Sequence, residues 1–190
     1  MSLLSELPDD LPVPIDDGAC NHLTGVTIPE VTLASTQGVK VNLSSLSGLT
    51  VIYIYPMTGQ PDTPLPEGWD QIPGARGCTP QSCSFRDHHE ELKQLGAEVY
   101  GLSTQSTAYQ QEAAERLHLP FALLSDEGLK LVEKLSLPTM EVGGKILTMR
   151  TTLICDNGVI TKVFYPVFPP DQNANEVINY LKHKQGFIDD

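Results

Sequence analysis

Positive charge is what this chain has least of. Lys and Arg together number 12 against 24 Asp and Glu, a formal net charge of −12 with a pI near 4.7. A surface of that sign repels phosphate backbones and anionic membranes, so neither nucleic acid nor a membrane is expected as a partner. Long apolar runs are also missing: nothing approaches the ~18 residues of a membrane span. The opening residues M-S-L-L-S-E-L-P-D-D offer neither the basic nor the apolar region of a secretory leader, which predicts a cytoplasmic protein. Cysteine is too sparse for a disulfide framework. Four cysteines in 190 residues without an export signal fit reduced thiols with a catalytic or sensing pair.

With 40% hydrophobic and 19% charged residues, the chain suits a single globular domain with its own core. Residues 1–18 are acidic and carry Pro8, Pro12 and Pro14, and read as an arm that lies on the surface or is disordered. Residues 19–190 form the domain. Val31-Thr32-Leu33, a turn at Gln37-Gly38 and residues 39–43 predict an opening hairpin. The run L-T-V-I-Y-I-Y over 49–55 is apolar throughout, as a central strand covered on both faces should be. Residues 57–73 hold four prolines and the single tryptophan, Trp69, and form a long loop. Trp69 either packs that loop onto the domain or helps it roof a site. A strand over 98–103, a helix capped by Ser106, a short strand over 121–124 and a helix from about 125 follow. Strands over 149–155 and 159–165 flank the hairpin signal Asp156-Asn157-Gly158, and a helix from Asn173 closes the chain. Alternating strands and helices followed by a hairpin predict an α/β fold, a mixed sheet layered between helices.

The stretch G-A-R-G-C-T-P-Q-S-C-S-F-R-D over 74–87 holds the chemistry. Thr79 and Pro80 form a helix-start signal, and Phe85, His89, Leu92 and Leu95 share one face of a helix over about 80–95. Cys78 then sits just before a helix N-terminus, two residues from Arg76. Both surroundings favour a thiolate, the nucleophilic form. Cys83 lies five residues on, where Cα atoms of a regular helix are about 8.6 Å apart. A disulfide needs roughly 4.4–6.8 Å, so bonding between the two would require the first turn to unwind.

Several ordered segments resemble the peroxiredoxins, specifically the Q type. They are Tyr55-Pro56, Gly77-Cys78-Thr79 through Cys83, Phe85-Arg86-Asp87, Gly101-Leu102-Ser103, the run 119–126, and Arg150-Thr151-Thr152-Leu153-Ile154. The resemblance implies a thioredoxin-like fold and a thiol-dependent peroxidase acting on hydrogen peroxide or organic hydroperoxides without metal or bound cofactor. It implies Cys78 as the attacking thiolate and Arg150 as the group stabilising charge on the leaving oxygen; Arg76, which has no counterpart in the family, is the local alternative. Cys83 would be the resolving cysteine of an intramolecular disulfide recycled by thioredoxin or a related dithiol protein. A monomer or weak homodimer is expected. The family carries a hydroxyl three residues before the nucleophile, where this chain has Ala75. Thr58, beyond the end of the apolar strand, is the candidate to supply it.

Other readings compete. Cys78, Cys83, His88 and His89 form a dense Cys/His cluster, but steps of five residues rotate by about 140° on a helix, so these side chains diverge where zinc needs convergence. His88 and His89 read instead as one solvated and one half-buried residue. Cys20 reads as an exposed or half-buried bystander, and Cys155 as a small hydrophobe packed in a core strand. A redox-sensing or partner-binding protein that retains the cysteine pair but turns over poorly is the alternative function.

Overall fold

The computed structural model describes residues 3–187. Its centre is β3 (Leu49–Ile54), in which Val51 and Tyr53 face one layer and Ile52 and Ile54 the other, all fully buried. The uninterrupted apolar run thus becomes a strand covered on both sides. β4 (Ala97–Ser103) pairs parallel to β3, β5 (Leu123–Ser125) parallel to β4, and β8 (Thr151–Asp156) antiparallel to β3. The hairpin β1 (Thr32–Ser35) and β2 (Lys40–Asn42) extends one edge, and β9 (Val159–Phe164) the other. The sheet order is β2-β1-β5-β4-β3-β8-β9, the mixed sheet expected from the sequence.

One face of the sheet packs against α1 (Cys78–Asp87), α2 (His89–Gln94) and α5 (Asn173–Lys184) through Phe85, Leu92, Val177, Ile178 and Leu181. The other is covered by α4 (Lys130–Leu135) and by the segment bearing Leu23, Ile28 and Val31. α3 (Thr107–Arg116) lies between β4 and β5, and Ser106 caps it as expected, its Oγ accepting from the Tyr109 N–H at 3.2 Å.

The structure corrects the sequence reading in five places. First, the 80–95 helix is two helices. The backbone N–H of His88 donates to the Ser84 carbonyl at 3.1 Å, and its Nδ1 lies 2.8 Å from the same oxygen. The chain turns there and restarts at His89, keeping Phe85 and Leu92 on one buried face. Second, α1 begins at Cys78 rather than after Thr79, because Gly77 takes φ 115° and acts as the cap. Third, the helix expected from about 125 begins only at Lys130. Ser125 stays in β5, and the buried Asp126 carboxylate accepts the N–H groups of Leu131 and Val132 at 2.9–3.2 Å. Fourth, β6 (Thr139–Val142) and β7 (Lys145–Thr148) form a separate two-stranded hairpin that the periodicity did not predict. Fifth, Cys20 is buried, and His88 and His89 are both half-buried.

Trp69 answers the question put to the long loop. It is 3% exposed and packs with Ala75 and Leu147, joined by Leu65, Ile72, Met140 and Val142, so the loop and the hairpin share a small core of their own. The arm lies on this assembly. Leu4 approaches Gly59, Leu7 approaches Gly77 and Pro14 approaches Gly74, while the Glu6 carbonyl accepts from Arg76 at 3.3 Å and the Asp17 carboxylate from the Tyr165 hydroxyl at 2.9 Å.

Candidate active site

The site forms where β3 ends and β8 begins, since Ile54 pairs with Thr151 across the antiparallel ladder. The chain leaving β3 returns through the long loop as α1, which places Cys78 in the first turn of that helix. Gly77 makes the approach possible. Its φ of 115° is strained for any residue with a side chain, and a Cβ there would run into the Pro170 ring. Arg150 precedes β8 and reaches back toward α1, with its side chain 3% exposed.

Arg150 spends every guanidinium nitrogen at this junction. Nε donates to the Gly74 carbonyl at 3.3 Å, and Nη1 to Gln81 Oε1. Nη2 donates to the carbonyls of Ala75 at 2.9 Å and Arg76 at 3.3 Å and to Cys78 Sγ at 3.3 Å. The planar guanidinium is held here in a fixed fork. Its donor is therefore already aimed at the sulfur before any charge moves. The rival, Arg76, is turned away: its Nη1 grips both oxygens of Asp70 at 2.9 and 3.1 Å, and only its carbonyl meets Arg150.

The sequence reading gave Gln81 no role and Asn173 only that of starting the last helix. Gln81 Nε2 donates to Asn173 Oδ1 at 3.0 Å, and the Thr152 hydroxyl donates to the same oxygen at 2.7 Å. All three residues are fully buried, so α1, β8 and α5 are tied together directly behind Arg150. Next to them the Tyr53 hydroxyl donates to Ser82 Oγ at 3.0 Å, again between fully buried residues. Replacing Gln81 with leucine would leave Arg150 Nη1 buried without its acceptor, at a cost of about 1–3 kcal/mol. Gln81→Leu is expected to slow sulfenic acid formation about tenfold in rapid-mixing kinetics while leaving the helix content near wild type by circular dichroism.

Thr58 does not take the role expected of it. It is buried, but its N–H and hydroxyl both donate to Gln105 Oε1, at 3.1 and 3.3 Å, and its carbonyl accepts from Gln105 Nε2 at 3.4 Å. The hydroxyl is thus committed to the connection between β4 and α3. What meets Cys78 from the Ala75 position is backbone, the Ala75 carbonyl accepting from Cys78 Sγ at 3.8 Å.

The other cysteines separate by environment. Cys83 is half-buried in α1, and burial raises its pKa, partly offset by Arg86. Burial pushes Cys20 up to about 11 and Cys155 up to about 12, so both are held as thiols at neutral pH. Cys155 packs within β8 as expected. Among the described residues no group of three His, Cys, Asp or Glu side chains is placed to hold a metal ion. No helix among them is long and apolar enough to cross a membrane.

The Redoxin family model matches residues 23–178 of the chain. A chloroplastic peroxiredoxin Q of Sedum lineare is 35% identical over 159 residues, 83% of this chain and 77% of that protein. The chloroplastic peroxiredoxin Q of Arabidopsis thaliana is 33% identical over 159 residues, covering 83% of this chain and 66% of that one. Among solved structures, peroxidoxin BcpB of Mycobacterium tuberculosis superposes with a TM-score of 0.69 at 26% identity, over 85% of this chain and 98% of its own. A bacterioferritin comigratory protein of Xanthomonas campestris, studied for its alkyl peroxide reduction, superposes at 0.65 and 20% identity, over 92% and 99%. It shares the fold.

Proposed function

The chain belongs to the Redoxin family and, within it, to the Q-type peroxiredoxins, and from that premise we propose that Cys78, Arg150 and Cys83 carry its peroxidase cycle. The protein is a thiol-dependent peroxidase with a thioredoxin-like fold. The observation that supports the residue assignment most strongly is the 3.3 Å contact between Arg150 Nη2 and Cys78 Sγ at the head of α1.

The Cys78 thiolate attacks the terminal oxygen of a hydroperoxide. An S–O bond forms, the O–O bond breaks, and the alkoxide or hydroxide that leaves takes a proton from water. Negative charge moves from sulfur to the leaving oxygen during this step, and the fixed Arg150 donor beside the sulfur is the group to stabilise it. Cys78 is left as a sulfenic acid. The Cys83 thiol displaces its hydroxyl as water and gives a Cys78–Cys83 disulfide. A dithiol protein of the thioredoxin type then returns both to thiols by exchange.

Disulfide formation must break the helix between the two cysteines. Gln81 and Ser82 lie in that interval, and their bonds to Arg150, Asn173 and Tyr53 have to be given up. The unwound segment exposes Cys83 and removes the burial that raises its pKa, so resolution becomes easier only after the helix opens.

The test is a comparison of wild type with Cys83→Ser. Wild type is expected to consume peroxide continuously with thioredoxin, thioredoxin reductase and NADPH. Cys83→Ser should consume about one equivalent per chain and then stall, with Cys78 accumulating as sulfenic and later sulfinic acid by mass spectrometry. Normal turnover by Cys83→Ser would remove Cys83 from the cycle.

A further inference from the structure

The turn that leads into α1 is held from two sides. From the sheet side, Arg150 donates to the carbonyls of Gly74, Ala75 and Arg76. From the other side it meets the arm, which lies outside the 23–178 match to the Redoxin model. Leu7 Cδ2 is 3.0 Å from the place a Cβ on Gly77 would take, and Pro14 Cβ is 3.5 Å from the corresponding place on Gly74. The Arg76 guanidinium, fixed by Asp70, donates to the Glu6 carbonyl at 3.3 Å. The short turn Leu3–Ser5 rests against α1 itself.

We propose that the arm is a strap on the head of α1, with Leu7 as its positioning residue: seated, it keeps the first turn folded around Cys78, and disulfide formation unseats it. The inference rests on the peroxidase cycle above and deepens it by naming a segment that sets the balance between its steps. Gly77 carries the argument. It caps α1, it is bonded to Cys78, and its carbonyl accepts the N–H of Gln81 at 3.0 Å, the first bond of the helix. Cα atoms five residues apart in a helix stand about 8.6 Å from each other, and a disulfide draws them to roughly 4.4–6.8 Å. Bringing Cys78 to Cys83 breaks the bond between Gln81 and Gly77 and moves the surface on which Leu7 sits. The coupling is reciprocal by linkage: an arm that seats only on the folded turn stabilises it, and a loosened arm favours the opened one. The two forms serve different steps. The folded turn holds Cys78 Sγ 3.3 Å from Arg150 for attack on peroxide, and the opened turn lets Cys83 reach the sulfenic acid. A sulfenic acid that waits takes an oxygen from a second peroxide, giving sulfinic acid and water. A tighter strap thus means faster attack, slower resolution and earlier over-oxidation.

The test uses the full chain and hydrogen peroxide, and reads both steps by rapid mixing. Leu7→Asp puts a carboxylate on a half-buried arm residue where an apolar contact stood. It is expected to speed disulfide formation about tenfold and to slow sulfenic acid formation a few-fold. The peroxide concentration that over-oxidises half the chains should rise several-fold. Leu7→Met should keep all three values near wild type, as should Val13→Asp, on an arm residue that is 64% exposed. A general loss of structure would slow both steps, so opposite changes mark the strap. A second measurement needs no substitution in the arm. A glutamate-specific endopeptidase should cut after Glu6 about tenfold faster in the disulfide form of wild type than in the dithiol form, while peroxide-treated Cys83→Ser keeps the slow rate. Both steps slowed or both unchanged in Leu7→Asp would overturn the strap. So would cleavage that is equal in dithiol chains and in chains shown by mass spectrometry to carry the 78–83 link, or that rises equally in Cys83→Ser. Failure of the peroxidase cycle itself would look different: wild type would form no 78–83 link.

Discussion

Cys78→Ser is expected to reduce peroxide consumption to the uncatalysed background, the largest effect of any single change in this protein. A serine hydroxyl is not ionised near neutral pH, and an alcohol in the same position is no nucleophile toward a peroxide oxygen. The remaining thiols do not compensate. Cys20 and Cys155 are held near 11 and 12 by burial, and neither meets a cation comparable to Arg150 in the hydrogen bonds it makes. The variant should fold, because the side chain it replaces is small and its one close charged partner, Arg150, keeps four other acceptors. Coupled NADPH oxidation checks the loss, and an unchanged melting temperature checks that it is chemical.

The second-largest effect belongs to Arg150→Ala, expected to slow sulfenic acid formation by about 10² to 10³-fold, the scale of losing one preorganised donor to developing charge. The substitution also strips the carbonyls of Gly74, Ala75 and Arg76 of a shared partner, so part of the loss could come from a loosened turn. Arg150→Lys separates the two causes. It keeps the charge but loses the planar fork that holds three carbonyls, Gln81 and sulfur at once. A rate for Arg150→Lys only a few-fold below wild type would assign the effect to charge, and one near Arg150→Ala would assign it to the fork. Reduction of the preformed disulfide by thioredoxin should change little in either variant, since that step does not build charge on a peroxide oxygen. Peroxide kinetics equal to wild type in Arg150→Ala would take the charge-stabilising role away from this residue.

The proposed nucleophile was legible because its signals are local, a cysteine at a helix start with a second cysteine five residues on. The role proposed for Arg150 came from the family resemblance, since an arginine at the head of a strand reads by itself as a surface residue. The central strand was legible from a local signal too, since residues 49–55 are apolar on both alternating faces. Gln81 and Asn173 were not legible, because 92 residues separate two side chains that meet only once α1 and α5 pack. Nothing in a single glutamine on a polar helix announces a buried acceptor. The β6–β7 hairpin did have a local signal in Gly143-Gly144, flanked by T-M-E-V and K-I-L-T, and it went unread. The Thr58 assignment failed for a physical reason. It assumed that a hydroxyl near the strand end would be delivered to the cysteine, whereas Gln105 holds that residue at its N–H, hydroxyl and carbonyl. The arm read as surface or disorder because composition reports solvation and not shape. Its order comes from contacts with glycines at 59, 74 and 77, which leave room for Leu4, Pro14 and Leu7.

The central claim is that peroxide oxidises Cys78 and that Cys83 resolves it by opening α1. One measurement reaches it most directly: wild type treated with one equivalent of peroxide, then analysed by mass spectrometry for disulfide linkage and by amide exchange. The account predicts a Cys78–Cys83 link in nearly every chain, with exchange across residues 81–85 much faster than in the dithiol form, as the Gln81 and Ser82 ties are released. A Cys78 that remains a free thiol after the peroxide is consumed, or a 78–83 link with exchange unchanged across that turn, would contradict it.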